Sequence, residues 1–294
     1  KNFSLKSSNL LIGIISLVLV VLIFFLISKK NSSIEDYEQA VGVIVVASSF
    51  ESLMESALPW LFDEDDIEPS GNQIHMPLAT GFSIGDGKFV TNAHITEQLS
   101  KILANGGEAY IKLNKLSNYV FPIEKVRSHP KYDISNFNQY DVGLIYVQGE
   151  VPYSLKVEKK GNLEKLKAGD EIMYIGFPMQ NLPKGGLNLS SLVATIQVGN
   201  ITSISDYQYK FSSPKLNYLI RHNLGATGGA SGSPIINKQG NVVAILNAIT
   251  VDVPSEQTGL IGSEAHQNPS AVMINYAQRA DLIYDISEDP DFFK

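Results

Sequence analysis

Short β-prone segments recur along most of the chain, and they constrain its fold more than any other feature of the sequence. Gly, Asn or Pro separates most of them, as in the GDG and KQGN turns. Closely spaced strands with such turns and few long helices are typical of an all-β sandwich or barrel. The segments are AVGVIVVASS, ATGFSIG, KFVTNAH, AYIKL, YVFPIEKVRSH, VGLIYV, EIMYIGF, LVATIQVGNITSI, KLNYLIRH, SPIIN and NVVAILNAIT.

A helical period is visible in SAVMINYAQRADLIYDI, residues 270–286, where Val272, Tyr276 and Ile283 fall on one face. No internal repeat and no Gly- or Pro-rich linker divides the body of the chain. We therefore predict a single domain over residues 38–290 with a helix near its end.

The N-terminal region contains a charge-free apolar run, LLIGIISLVLVVLIFFLIS, over residues 10–28. At about 1.5 Å per residue it would extend ~28 Å as a helix, close to the thickness of a bilayer core. A signal peptide would have a shorter apolar region and a small-residue cleavage site, and a buried core helix is the other alternative. We predict a membrane helix that contacts the lipid bilayer, preceded by a flank (1–9) and followed by a linker (29–37).

Charge is distributed unevenly along the chain. Residues 1–30 contain four lysines and no acid, whereas the remainder carries 19 basic and 30 acidic side chains. An acidic body disfavours a nucleic-acid partner, because binding to phosphates relies on Lys and Arg. The two lysines on each side of the apolar run give no orientation across a membrane. Because the chain has no cysteine, disulfides and thiolate nucleophiles are excluded.

An acidic segment, FESLMESALPWLFDEDDIEPSGN, lies within residues 50–77, between the first strand-like run and the next. It is interpreted either as a solvated loop with a short amphipathic helix or as an insertion that docks a protein partner.

The segment GGASGSP, residues 228–234, offers two candidate nucleophiles, Ser231 and Ser233. On its own, such a cluster also fits an ordinary turn. A serine hydroxyl reacts only when a base, usually histidine, takes its proton and a carboxylate orients that base. The function of this segment therefore depends on which histidine and which acid accompany it.

His94 and Asp141 are the candidates for the base and the acid. His94 stands at the end of the run in GFSIGDGKFVTNAHI, and strand ends are where scaffolds present catalytic groups. Asp141 opens the apolar strand of NQYDVGLIYV, where an acid can be half-buried. His129 and Asp133, in the polar loop HPKYD, are the competing candidates.

Taken together, these segments resemble a trypsin-like (chymotrypsin-fold) serine protease, nearest to the HtrA/Deg-like branch. TGFSIGDGKFVTNAHI is similar to the Gly-rich hairpin and histidine box of that branch, YDVGLIYV to its aspartate strand, and GGASGSPIIN to its serine box. The resemblance covers roughly residues 40–286. It implies a chymotrypsin-like double β-barrel with a C-terminal helix, and neither a metal nor an organic cofactor. No peptide-binding PDZ module is expected after this domain.

The resemblance also implies roles for individual residues. His94 would be the general base, Asp141 the acid that orients it, and Ser231 the nucleophile. The N–H groups of Gly229 and Ser231 would form the oxyanion hole. Ser233 occupies the place of the second glycine of the family box.

Departures from the family pattern bear on specificity. Ala230 replaces the usual Asn or Asp, and Gly225 stands where an acid would select a basic side chain. Leu246, Asn247 and Ala248 match the strand that walls the specificity pocket. We therefore expect cleavage after small or medium apolar residues, and we expect Asn247 to donate a hydrogen bond to Asp141.

Two functions from different classes follow from the sequence. The first is a membrane-anchored serine endopeptidase that acts on proteins or peptides, with its catalytic domain outside the cytoplasm. The alternative is a protease-fold scaffold or binding subunit of a membrane complex, in which the triad is latent.

Overall fold

The computed structural model describes residues 34–48, 74–116, 119–136, 139–179, 187–247 and 275–287. The chain divides into two compact units, 1–35 and 36–294, and only two residues of the first are described. The predicted membrane helix at 10–28 lies outside the described residues. Among the helices that are described, none combines the length and apolarity needed to span a bilayer.

Six antiparallel strands close into a first barrel in the order β1-β2-β3-β6-β5-β4. A short helix precedes the first strand, a longer one follows the third, and a 3₁₀ turn precedes the sixth. The elements are α1 (Ile34–Gln39), β1 (Val41–Ser48), β2 (Ile74–Gly85), β3 (Lys88–Thr91), α2 (Ala93–Ala104), β4 (Glu108–Leu113), β5 (Val120–Ser128), the 3₁₀ turn (Ile134–Asn136) and β6 (Gly143–Val147).

A second set of strands forms another barrel, in the order β8-β9-β10-β13-β12-β11, and β11 pairs back with β8. The strand β7 adds to β12 in parallel outside the barrel. The elements are β7 (Lys156–Val157), α3 (Lys160–Leu163), β8 (Glu171–Gly176), β9 (Thr195–Ser205), β10 (Leu219–His222), β11 (Pro234–Asn237), β12 (Asn241–Asn247), β13 (Asn275–Arg279) and α4 (Leu282–Ser287).

The two barrels repeat one topology. Each runs through its first, second, third, sixth, fifth and fourth strands before it closes. The amino-acid sequence shows no repeat, because the two barrels share their order of hydrogen-bonded strands and not their side chains. The prediction of an all-β, chymotrypsin-like double barrel with a C-terminal helix is confirmed.

Strand β1 is buried on both of its faces, which explains its unbroken apolar sequence. Val41, Val43 and Val45 join the core that extends into the second barrel, whereas Ile44 and Val46 face the core of the first. Because alternate side chains of a strand point to opposite faces, one strand can serve both cores.

The C-terminal helix is shorter than its sequence pattern predicted. Residues Asn275–Arg279 form β13, which pairs with β10 on one edge and β12 on the other. The helix begins only at Leu282. Pairing on both edges, with Ala277 and Gln278 both fully buried, outweighs the helical periodicity of the segment.

Helix α2 corrects the prediction that the run KFVTNAH is strand up to its histidine. The strand ends at Thr91, and a helix of twelve residues begins at Ala93. Its residues Ile95, Leu99 and Ile102 are buried in the core of the first barrel. This i, i+4, i+7 spacing is that of a helix with one apolar face.

The acidic insertion ends earlier than the predicted boundary at residue 77. Strand β2 already begins at Ile74, and Met76 and Pro77 pair with Val46 and Val45 of β1. The segment 49–73 lies outside the described residues, as does the helix predicted within it.

His222 ends β10 and is fully buried, in register with Ile201 of β9 and Asn275 of β13. Burial lowers its pKa from 6.5 to about 4, and nearby backbone groups offset only part of this effect. The folded protein therefore holds this imidazole in the neutral form at neutral pH.

We expect the free energy of unfolding to fall by about 3 kcal/mol as the pH drops from 6.5 to 4, because only the unfolded chain protonates His222 in that window. Denaturant unfolding at several pH values measures the slope. His222→Gln should remove most of this slope, whereas His75→Gln, at an exposed position, should leave it unchanged. Equal slopes in the wild type and His222→Gln would contradict the assignment.

Candidate active site

The centre of the site is a contact between a buried carboxylate and the start of a helix. Asp141, which is fully buried, accepts a hydrogen bond at Oδ1 from the backbone N–H of His94, at 2.9 Å. The first N–H groups of a helix lack partners within it, and the helix dipole favours a negative charge there. His94 is the second residue of α2. Asp141 thus caps the helix from another part of the chain.

The other carboxylate oxygen of Asp141 fixes the imidazole ring of His94. Its Oδ2 lies 2.8 Å from His94 Nδ1. Because a carboxylate can only accept, Nδ1 must carry the proton, and a neutral ring then leaves Nε2 as the acceptor. This arrangement gives the imidazole the orientation and tautomer that a general base requires, with 13% of its side chain exposed.

Two further residues hold Asp141 close to α2. Asn92 Nδ2 donates to the backbone oxygen of Asp141 at 2.9 Å, so its side chain does not cap its own helix. Gly143 lets β6 approach the helix, because a Cβ there would lie 2.8 Å from Asn92 O and would overlap Thr96. Asn92 lies in the histidine box, but the sequence did not mark it as a functional residue.

Tyr140, which directly precedes Asp141, has a left-handed backbone with φ of 54°. Its N–H donates to Tyr207 Oη at 3.0 Å, and Tyr207 donates in turn to Oε1 of the buried Gln278 at 2.7 Å. Burial raises the pKa of Tyr207 well above its usual value, so the phenol keeps the proton that this chain requires. Both Tyr207 and Gln278 belong to the second barrel, so that barrel supports the position of the acid.

The competing candidates have structural roles. His129 is 2% exposed, stacks on Tyr140 with centroids 5.0 Å apart, and lies 3.6 Å from Asp285 of α4. Burial lowers the pKa of His129 although Asp285 raises it. Asp133 accepts bonds from Ser135 N and Oγ within its own turn, and these bonds lower its pKa. Among the described residues, the side-chain polar contacts of His129 and Asp133 are with Lys131, Ser135 and Asp285 and not with residues 228–234.

The structure distinguishes the two candidate serines. Ser233 is fully buried, and its Oγ lies against Gly176, where a Cβ would overlap it. Ser231 retains 7% exposure at the edge of the loop. The loop packs on the first barrel, because Thr80 N donates to Ser231 O at 2.9 Å. In the described part of the chain, His94 is hydrogen-bonded to Asp141 and not to Ser231.

The N–H groups of Gly229 and Ser231 belong to peptide planes whose carbonyl oxygens, those of Gly228 and Ala230, accept hydrogen bonds. Met179 N donates to Gly228 O at 2.8 Å, and Ser233 N donates to Ala230 O at 3.0 Å. Since C=O and N–H of a trans peptide point in opposite directions, these bonds turn the N–H of Gly229 away from Met179 and the N–H of Ser231 away from Ser233. Neither N–H donates to another backbone group within the described residues.

Gly229 is required for this loop conformation. Its φ is 87°, in the left-handed region that favours glycine, and a Cβ would come within 2.6 Å of Phe177 O. The replacement of the usual polar residue by Ala230 is compatible with the loop, because Ala230 is fully buried and its backbone makes the bonds.

Of the predicted specificity residues on β12 and after it, Leu246 contacts the serine loop directly. Leu246 brackets it, because its N–H donates to Ser233 O at 2.9 Å and its oxygen accepts from Gly232 N at 3.0 Å. Asn247 is buried at the end of β12, but its Nδ2 does not donate to Asp141, so that expected bond is not formed. Ala248 lies outside the described residues.

Gly225 has a neighbour that the sequence did not reveal. Its N–H donates to Gln197 Oε1 at 2.8 Å, and a Cβ at Gly225 would lie 3.3 Å from that atom. The amide of Gln197, from β9, therefore occupies the space beside the position where the family carries its selecting acid. Gly225 follows β10, which pairs with β9, so the contact depends on the tertiary arrangement and no local sequence pattern could have indicated it.

We expect Tyr207→Phe to destabilise the protein by about 1–3 kcal/mol, because it leaves the N–H of Tyr140 and the amide of Gln278 without their shared partner. Denaturant unfolding of Tyr207→Phe, Gln278→Leu and the double variant measures the coupling. A coupling of at least ~0.5 kcal/mol is expected for residues in one network. Additive effects of the two substitutions would show that the chain of bonds is not formed.

Comparison with known proteins places this geometry in a family. The model of the trypsin-like peptidase domain matches residues 79–245, more than half of the chain. HhoB of Synechocystis sp. is 23% identical over 193 residues, which cover 65% of this chain and 39% of HhoB. The probable periplasmic serine endoprotease DegP-like protein of Pseudomonas putida is 27% identical over 173 residues, 58% of this chain and 29% of that protein. The chain thus spans well under half the length of both relatives.

Solved structures of the HtrA-type protease AlgW share the fold. The complex with a decapeptide has a TM-score of 0.52 at 16% identity and covers 85% of this chain and 64% of AlgW. The complex with a tripeptide has a TM-score of 0.50 at 13% identity, covering 87% and 61%. The resemblance to trypsin-like, HtrA/Deg-like serine proteases that the three sequence boxes predicted is confirmed. The chain belongs to the trypsin-like peptidase domain family.

Proposed function

We propose that the protein is a serine endopeptidase that hydrolyses peptide bonds through Ser231, His94 and Asp141. The observation that carries this proposal is the double contact of Asp141 with His94, which leaves Nε2 of the imidazole free to accept a proton. A merely structural histidine would not need its ring and its backbone held by the same buried carboxylate. The peptides bound to the AlgW structures support a peptide substrate.

In the proposed reaction, Ser231 Oγ attacks the carbonyl carbon of the scissile bond while His94 Nε2 takes the hydroxyl proton. The N–H groups of Gly229 and Ser231 stabilise the resulting oxyanion. Collapse of the tetrahedral intermediate breaks the C–N bond, and His94 returns the proton to the leaving amine. Water then attacks the acyl-enzyme, with His94 again as the base, and releases Ser231.

Covalent labelling with a fluorophosphonate tests this assignment. The wild type should be labelled at Ser231, and Ser231→Ala should abolish labelling. His94→Ala should slow labelling by roughly 10³-fold or more, because the hydroxyl loses its base. Ser233→Ala is the matched control and should still be labelled, since Ser233 Oγ is buried against Gly176.

A folded wild-type protein that is not labelled would contradict the enzymatic proposal. It would favour a scaffold with a latent triad, and binding partners would then be sought through residues 50–73.

We further propose that the enzyme prefers a small or medium apolar residue before the scissile bond. The support is the absence of an acid at Gly225, where the Gln197 amide lies instead, and the apolar Leu246 beside the loop. Peptides with Ala, Val or Leu at this position should be cleaved with kcat/KM at least ~10-fold above those with Lys or Glu. Gly225→Asp should raise relative cleavage after Lys and Arg, and an unchanged ranking would exclude Gly225 from the pocket.

Two further parts of the proposal concern the membrane. The charge-free run at 10–28 is proposed to anchor the protein in the bilayer. An extracytoplasmic position of the protease domain is supported by the periplasmic name of the Pseudomonas putida relative. Added protease should degrade the domain in cells with a permeabilised outer layer and an intact inner membrane, and full protection would contradict this orientation.

A further inference from the structure

Thr80 connects the first barrel to the serine loop of the second. It lies on β2, is fully buried, and is separated from Gly229 by 149 positions of sequence. Its hydroxyl donates to Gly229 O at 2.9 Å and accepts from Phe177 N at 3.0 Å. One hydroxyl has one proton to donate, so this pair of bonds has a single consistent direction.

Thr80 holds the loop at a second point through its backbone. Its N–H donates to Ser231 O at 2.9 Å, and its own carbonyl accepts from Thr91 Oγ1 at 2.9 Å. Four consecutive carbonyls of the loop, at positions 228–231, are therefore held, two by the second barrel and two by Thr80. The carbonyl of Gly229 is the one held by a side chain.

We propose that Thr80 is a positioning residue, whose hydroxyl fixes the peptide between Gly229 and Ala230 and thereby aims the N–H groups on either side of it at the oxyanion. The peptide planes that carry these two N–H groups flank the one that Thr80 holds. Because glycine has access to both signs of φ, Gly229 would rotate readily without this bond. This inference rests on the proposed function, since it concerns the reactivity of Ser231.

The space around the hydroxyl supports a specific role. Gly176 ends β8 beneath it, and a Cβ at Gly176 would lie 3.2 Å from Thr80 Oγ1. The space around the Thr80 side chain therefore excludes a larger residue, whereas valine, which has the shape of threonine, would fit at position 80. Thr80→Val removes both hydrogen bonds of the hydroxyl without removing volume.

Steady-state kinetics of Thr80→Val and Thr80→Ser test the proposal. We expect kcat of Thr80→Val to fall by about 10- to 100-fold, up to the loss seen when one oxyanion donor is deleted, with KM within about threefold. Thr80→Ser retains the hydroxyl and should keep kcat within about threefold of the wild type. The pH at which the activity is half-maximal should not move, because the contacts of His94 with Asp141 are untouched.

Ser83→Ala is the matched control. Ser83 is also fully buried on β2, and its hydroxyl accepts a hydrogen bond from Gly85 N at 3.2 Å, within its own hairpin and not from the serine loop. We expect Ser83→Ala to lose thermal stability and to keep kcat within about threefold. An equal loss of kcat in Ser83→Ala and Thr80→Val would mean that destabilisation alone lowers the activity, which would overturn the positioning role.

Crystal structures of the wild type and Thr80→Val provide a readout that does not depend on turnover. A rotated peptide at Gly229 in Thr80→Val is expected, and an unchanged loop would overturn the inference. If the wild type neither turns over peptides nor reacts with a fluorophosphonate, the proposed function fails, while the crystal structures still decide whether Thr80 holds the loop. If Thr80→Val is as active as an active wild type, the positioning role of Thr80 is overturned, while the proposed function stands.

Discussion

The pair of hydrogen bonds between the buried carboxylate of Asp141 and His94, at the start of α2, is the interaction that the rest of the site requires. A buried charge is costly unless hydrogen bonds compensate it. Here the N-terminus of α2 and the imidazole of His94 each donate a hydrogen bond to this one side chain, which directly follows the left-handed turn at Tyr140. The same bonds that make burial of the charge tolerable also fix the tautomer of the base, so stability and chemistry share one set of contacts.

Each barrel supplies an incomplete half of the site. The first contributes His94 and Asp141, and the second contributes the serine loop. Hydrogen bonds cross between them in both directions, from Thr80 to the loop and from Tyr207 to the residue before the acid. The geometry of the candidate site therefore depends on how the barrels dock. Val41, Val43 and Val45 of β1, which pack in the core that extends into the second barrel, stabilise that docking.

The serine loop achieves rigidity without a polar side chain before its nucleophile. Its glycines supply the unusual backbone angles, and its carbonyls are held by Thr80 of the first barrel, by Met179 and by Ser233 of the loop itself. Such a loop is preorganised, and a preorganised set of donors is worth more to catalysis than one that must rearrange during the reaction. The identity of Ala230 matters little in this arrangement, because its contribution comes from its backbone.

Local sequence patterns were enough to predict the fold class and the family of this protein. The alternation of short apolar runs and turns indicated an all-β fold, and the boxes around His94, Asp141 and Ser231 indicated a trypsin-like family, because local patterns encode both. The sequence did not reveal α2 or β13, whose form depends on what their faces contact. The contacts of Thr80, Tyr207 and Gln197, in contrast, became visible only in the folded structure. These residues act through partners more than twenty positions away, and such contacts exist only once the strands have paired and the barrels have docked.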